Sequence, residues 1–342
     1  MGSSSIIQSS TQQPDTLEKL QHLLKPELAL INQLIIEQLQ NRVALIPQLA
    51  GHIIGAGGKR LRPMLTLACS HLCGYQGQRH LSLAACVEFI HTATLLHDDV
   101  VDDSKLRRGR STANSLWGNQ ASVLVGDFLF SRSFQLMVKD GSLDVLRILS
   151  SAAATIAEGE VLQLLNIHDL GTTKASYLEV IQSKTAALFA AACEIGGVIA
   201  GKEEAETKAL QNYGLNLGIL FQLIDDVLDY SPDRSEHLGK ITGDDFREGK
   251  LTMPVILALQ KASPAENKFW QRTMAGNRQK TEDLQKAIQL LHQHQCLANT
   301  LILARDYATK ARNALSIFKE SAWKTILNDL IGYCLARPGM EG

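Results

Sequence analysis

The sequence predicts an all-α fold in a single domain, and three observations carry that reading. No proline stands between Pro63 and Pro232, so a long central stretch lacks the residue that breaks helices most effectively. Apolar residues recur there at spacings of three and four. Period-two alternation between turn signals is nearly absent, so no sheet is expected.

In chain order the first element is a tail. Residues 1–16 open Met1-Gly-Ser-Ser-Ser and continue rich in Ile, Ser, Thr and Gln, without the basic start or apolar run of a signal peptide. They are expected to be flexible, and the domain to run over 17–342. Leu81, Ala84, Ala85, Val87, Phe89, Ile90, Ala93, Leu95 and Leu96 mark one long helix, interrupted by polar Glu88. Others are expected over Ser151–Leu165, Tyr177–Ala200 and Ala209–Tyr230. Several of these are apolar nearly all round and so belong at the centre of a bundle, shielded by neighbours. Turns fall at Gly74, Gly77, Gly109, Gly141, Gly171, Gly201 and Ser231-Pro232. With no repeat period and no composition break, the expectation is roughly ten or more helices around one core.

Bulk composition narrows the functional classes. The 342 residues are 45% hydrophobic and 20% charged, with a formal net charge of −1, so no global field recruits nucleic acid. Aromatic residues at 5% are too few for a base-stacking platform. No stretch approaches about 18 uninterrupted apolar residues, so no transmembrane segment is expected and the location expected is cytoplasmic. The six cysteines are scattered among apolar residues, which suits reduced thiols in a core. Cys69 and Cys73 bracket His71, but no second ligand pair completes a zinc set; His292 and His294 near Cys296 are set aside likewise.

The chemistry lies in two acidic runs. Asp98-Asp99-Val100-Val101-Asp102 and Asp225-Asp226-Val227-Leu228-Asp229 repeat one pattern, each at the end of an apolar stretch. The outer aspartates of each run are four apart and share a helical face. Their charges repel and need a counter-charge. Hard divalent cations supply one: Mg²⁺ takes a few carboxylate oxygens and leaves room for substrate phosphates. A single run suits a solvated helix end; two copies point to a metal clamp.

Basic groups supply the complement. Gly57-Gly58-Lys59-Arg60-Leu61-Arg62-Pro63 is not a nucleotide-binding P-loop, because Ile53 and Arg60 occupy positions that need Gly and Ser or Thr. Arg107-Arg108-Gly109-Arg110 follows the first acidic run, where planar guanidinium groups suit oxyanions. Lys184, inside an apolar helix, needs an anionic partner. Lys240 and Lys250 flank a polar loop after the second run, where solvated charge and function are equally open.

These stretches together resemble the trans-type isoprenyl diphosphate synthases, from about Leu17 onward. The likeness is carried by Gly57–Pro63, His91, both aspartate runs, Arg107-Arg108-Gly109, Val125–Phe128, Glu158-Gly159-Glu160, Lys184-Thr185, Gln222, and the glycines and lysines of Gly239–Lys250. The bacterial octaprenyl and decaprenyl synthases that make quinone side chains are the most similar branch. The resemblance implies an isoprenoid-synthase-type helical bundle with a central cavity, and an Mg²⁺-dependent homodimer in which Mn²⁺ substitutes. It implies metal at Asp98, Asp102 and Asp225, assisted by Asp99, Asp226 and Asp229. Arg107, Lys184 and Lys240, with Lys250, would serve an allylic diphosphate (farnesyl or geranyl), and Lys59, Arg62, His91 and Arg108 isopentenyl diphosphate. Thr185 and Gln222 would line the reaction centre. Small Ala93 and Thr94 stand where bulky aromatics shorten the family's products, which favours a long chain over a geranylgeranyl or farnesyl one. A product of that size implies passing contact with a membrane on release. A terpene cyclase is disfavoured by the second Asp-rich run and the second basic site, and a non-catalytic subunit by two intact runs.

Overall fold

A computed structural model describes residues 16–55, 58–107, 109–231 and 242–337. The expected tail lies outside these residues except for Thr16, which opens α1 (Thr16–Leu23). Next come α2 (Lys25–Leu39), α3 (Leu45–Gly55), α4 (Leu61–Leu72), α5 (Arg79–Val101), α6 (Ala113–Trp117), α7 (Asn119–Asp140) and α8 (Leu143–Asn166). The second half holds α9 (Lys174–Ile181), α10 (Ala187–Ile199), α11 (Glu204–Asp229), α12 (Asp244–Arg247), α13 (Met253–Lys261), α14 (Pro264–Trp270), α15 (Asp283–Gln293), α16 (Cys296–Ala314) and α17 (Ala322–Ala336).

The apolar helices lie at the centre. α5 packs on α4 and α7, α10 on α4, α8 and α11, and α11 on α16. Phe89, Phe189, Tyr213 and Leu220 are all at most 1% exposed within this core. Truncating one of the phenylalanines to Ala costs about 3–5 kcal/mol in such surroundings. Two glycines permit close approaches of backbone between neighbouring elements. A Cβ on Gly218 of α11 would lie 2.6 Å from Ala186 Cα, and one on Gly159 of α8 would lie 2.7 Å from Lys184 N.

The sequence expectation of no sheet needs one correction. Leu106–Arg107 (β1) pairs antiparallel with Arg110–Ser111 (β2) after α5. A two-residue ladder is too short to leave an alternating signature. Lys184 and Thr185 also depart from plain helix: Gln182–Ala186 forms a π-helical turn between α9 and α10.

α7 and α8 are long and apolar enough to cross a membrane by length and composition, each with mean hydropathy 1.2. Neither run is uninterrupted: Asp127 and Arg132 break one, Glu158 and Glu160 the other. Both pack within the bundle, α7 on α5 and α8 on α10. All six cysteines are free and buried. His71 pairs with neither nearby cysteine; it meets the Glu27 carboxylate at 3.0 Å and stacks on Trp323. His294 likewise meets Glu266 at 3.2 Å.

Candidate active site

Helical spacing places Asp98 of α5 and Asp102, which caps that helix, together on the wall of a cavity of about 840 Å³. Asp225 and Asp229 of α11 line the same cavity. The middle aspartates do not. Asp99, 1% exposed, accepts from the Arg107 guanidinium at 2.7 and 2.8 Å. Burial pushes the Asp99 carboxyl up, against the pull of Arg107. Asp226, also 1% exposed, accepts from the Tyr177 hydroxyl and, at 3.0 Å, from Gln222 Nε2. Burial, reinforced by the Asp245 charge, pushes Asp226 up to about 8. Asp229 faces the cavity yet also accepts the backbone N–H groups of Asp244 and Asp245, each at 3.2 Å.

Three of the outer carboxylates, Asp98, Asp102 and Asp225, meet a cation from elsewhere in the chain. Lys184 Nζ lies 2.5 Å from Glu160 Oε2 and 3.7 Å from Asp98. Its reach depends on the π turn, and π turns of this kind concentrate at functional sites. The absent side chain of Gly159 lets that turn lie against α8. Burial and the Asp98 charge push Glu160 up to about 7, against Lys184. Lys250 bonds Asp102 at 2.9 Å and Glu248 at 2.6 Å. Burial alone would lower the Lys250 pKa, but the two carboxylates outweigh it and raise it. Arg337 Nη2 lies 2.6 Å from Asp225 Oδ1.

The basic end closes the other side. Arg60 opens α4 in the left-handed region (φ 49°) and pairs with Glu88 at 2.6 Å. Lys59 donates to the Tyr333 hydroxyl at 2.7 Å, and Arg62 lies 3.2 Å from His91 Nε2 and over the Phe189 ring at 4.5 Å. Lys59, Arg62 and His91 all line the cavity. Thr185 donates to Gln222 at 3.0 Å, and that contact continues to Asp226 and Tyr177.

The structure therefore brings Lys59, Arg62, His91, Arg107, Lys184, Thr185, Gln222 and Lys250 onto one cavity with the four outer aspartates. Arg108 and Lys240 lie outside the described residues. Thr94 is on the wall, whereas Ala93 is fully buried and does not line the cavity. Helix phase explains the difference: residue 94 is four before Asp98 and shares its face, and residue 93 is turned about 100° further round. Sequence reasoning missed Glu88, Tyr177, Tyr333 and Arg337. For the last two the only signal was a four-residue spacing at the end of an apolar helix.

The wall carboxylates form an all-oxygen donor set, and Glu160 Oε1 is buried without a hydrogen-bond partner. Both features suit a hard divalent cation and not zinc. A helical bundle that sets two acidic helix ends against a basic one across one cavity defines a site suited to anionic substrates bridged by cations. Comparison then identifies the family. The polyprenyl synthetase family model matches residues 43–291, and the chain belongs to that family.

The chain is 45% identical to the octaprenyl diphosphate synthase of Escherichia coli K12, over 94% of this chain and 99% of that one. It superposes on the crystal structure of a decaprenyl diphosphate synthase from Rhodobacter capsulatus with a TM-score of 0.90 and 52% identity, covering 94% and 99% of the two chains. The crystal structure of a polyprenyl synthase from Caulobacter crescentus CB15, complexed with calcium and isoprenyl diphosphate, gives 0.90 and 50% over 95% and 99%. The chain is a prenyltransferase, and likeness at this level along nearly its whole length supports long-chain trans-polyprenyl synthesis. The family is metal-dependent.

Proposed function

We propose that this enzyme condenses isopentenyl diphosphate head-to-tail onto an allylic diphosphate, farnesyl or geranyl, and repeats the step to eight to ten isoprene units for a quinone side chain. The supporting observation is one cavity with a carboxylate end and a separate cationic end. Two anionic substrates need two binding ends, and a cyclase with one diphosphate has no use for Lys59, Arg62 and His91. The relatives that make octaprenyl, nonaprenyl and decaprenyl diphosphates support the length.

Asp98, Asp102, Asp225 and Asp229 would hold Mg²⁺, or Mn²⁺ in its place, which when bound supplies the positive charge that stabilises the departing diphosphate. Asp99 and Asp226 act from behind: Arg107 braces the first run, and Tyr177 with Gln222 braces the second. Lys184, Lys250 and Arg107, with Lys240, orient the allylic diphosphate, while Arg108 serves isopentenyl diphosphate. Lys59, Arg62 and His91 orient the second diphosphate so that its double bond faces the allylic carbon. Thr185 and Gln222 present oxygens near the cationic carbon. Leu95, Phe189, Phe221 and Leu228 line the cavity and keep water from quenching it.

The domain over 17–342 would act as a homodimer. Leu124 and Val138 of α7 and Leu165 of α8 are 68%, 67% and 73% exposed, an apolar face that a second copy would cover. A cytoplasmic enzyme of this kind would touch a membrane only to release its apolar product. The test is incorporation of radiolabelled isopentenyl diphosphate into farnesyl diphosphate by the purified chain with Mg²⁺, with product length read by mass spectrometry. Products of eight to ten units are expected, with loss of activity in Asp98→Asn and Asp225→Asn; a well-folded chain that incorporates no label would overturn the reading.

A further inference from the structure

Arg337 stands just past the end of α17, one turn beyond Tyr333, whose hydroxyl accepts from Lys59. Its side chain is 9% exposed, and Nη2 lies 2.6 Å from Asp225 Oδ1. Its Nε and Nη1 are buried without hydrogen-bond partners. The guanidinium carbon sits 4.4 Å from the centroid of the Phe221 ring. Phe221 lies 5.7 Å from Phe189, and Arg62 lies over the Phe189 ring at 4.5 Å. Each ring of this aromatic pair thus carries an arginine, one bonded to the second acidic run and the other belonging to the basic end.

A buried guanidinium with orphan donors is unfavourable, because each unmet N–H has lost its water. Its plane also suits an oxyanion better than a single carboxylate oxygen, since the fork satisfies two acceptors together. Asp225 uses one arm of that fork. Arg337 itself lines the cavity that carries Lys59 and Arg62.

We propose that Arg337 is a counter-charge latch that couples the two ends of the cavity. It holds Asp225 while no divalent cation is there, and once a cation takes that carboxylate its donors turn to the diphosphate held by Lys59 and Arg62. This rests on the reading of Asp225 as a cation ligand. Two consequences follow. Arg337 competes with the cation, so removing it tightens cation binding. Cation and isopentenyl diphosphate also favour each other through Arg337, and such coupling is reciprocal.

The test uses the full chain as wild type, Arg337→Gln, Arg337→Lys and Asp225→Asn. Mn²⁺ is titrated in the presence of inorganic diphosphate, with free Mn²⁺ followed by electron paramagnetic resonance. Isopentenyl diphosphate binding is measured calorimetrically with and without Mn²⁺. Arg337→Gln is expected to bind Mn²⁺ more tightly, to bind isopentenyl diphosphate about tenfold more weakly, the scale of one lost charge-assisted contact, and to lose the gain that Mn²⁺ confers. Arg337→Lys, which keeps the charge, is expected to fall between. The metal-free Arg337→Gln protein should also melt below wild type, with the gap closing when Mn²⁺ is added. An equal melting deficit with and without Mn²⁺ would show a permanent structural contact and overturn the latch. If Asp225→Asn weakens Mn²⁺ binding while Arg337→Gln fails to tighten it, the latch alone fails. Wild-type Mn²⁺ binding by Asp225→Asn would sink the cation-site reading, and the latch with it.

Discussion

Lys250 Nζ lies 2.9 Å from Asp102 Oδ2, joining the segment after α12 to the end of α5 across 148 residues of sequence. Lys250 carries a second bond to Glu248, and both carboxylates keep it charged despite its burial. Lys250→Met should lower kcat/KM by about 10²–10³, the scale of losing one preorganised electrostatic group. Lys250→Arg should recover part of that loss. Steady-state kinetics with either substrate varied checks this, and wild-type kcat/KM in Lys250→Met would refute the assigned role.

Gly159 sets the position of Lys184. A methyl at residue 159 would sit 2.7 Å from both Lys184 N and Ser183 Cβ, so the π turn must retreat. Gly159→Ala is expected to cost about 1–3 kcal/mol of stability, as overpacking does, and to reduce kcat more than it raises either KM. Denaturant unfolding and kinetics on the same preparation separate the two effects.

Thr94 lines the cavity four residues before Asp98. Thr94→Phe should therefore obstruct the growing chain and give shorter products, read by mass spectrometry. Ala93 is fully buried, so Ala93→Phe must displace neighbours toward the cavity or destabilise the bundle. An unchanged product distribution in both variants would mean that the chain grows in another direction.

Glu27 of α2 ties down helices far from the cavity. His71 of α4 reaches it at 3.0 Å and His80 of α5 at 2.6 Å. Burial raises its pKa, but the two histidine hydrogen bonds outweigh that and hold it at about 2. A carboxyl depressed in the folded state adds stability above its unfolded pKa of about 4.5, and that stability is lost as pH falls through the window from there to about 2. Glu27→Gln should cost about 1 kcal/mol at pH 7, a modest figure because the group keeps some contact with solvent. In urea unfolding the deficit should shrink as pH falls below about 4.5.

Leu124 and Leu165 place large apolar side chains in solvent on α7 and α8. Leu124→Glu with Leu165→Glu should convert a dimer to a monomer by light scattering after size-exclusion chromatography, with little change in monomer helicity. A dimer that survives both changes would place the interface elsewhere.

The helical class, the central position of α5, α10 and α11, and the pairing of the outer aspartates were legible in the sequence, because spacing along a helix sets which side chains share a face. The basic cluster at Lys59 and Arg62 was legible for the same local reason. What could not be read was which charge meets which. Lys250 was as open to solvent as to function until the fold set it on Asp102, and Arg337 gave no signal beyond its four-residue spacing from Tyr333. The buried role of Asp99 and Asp226 is tertiary too, since one residue of helix phase turns a carboxylate from the cavity to Arg107 or Tyr177. Local periodicity determined the fold class and the acidic and basic ends. Only long-range packing decided their counter-ions, because an ion pair joins residues by distance in space, which the chain's order does not encode.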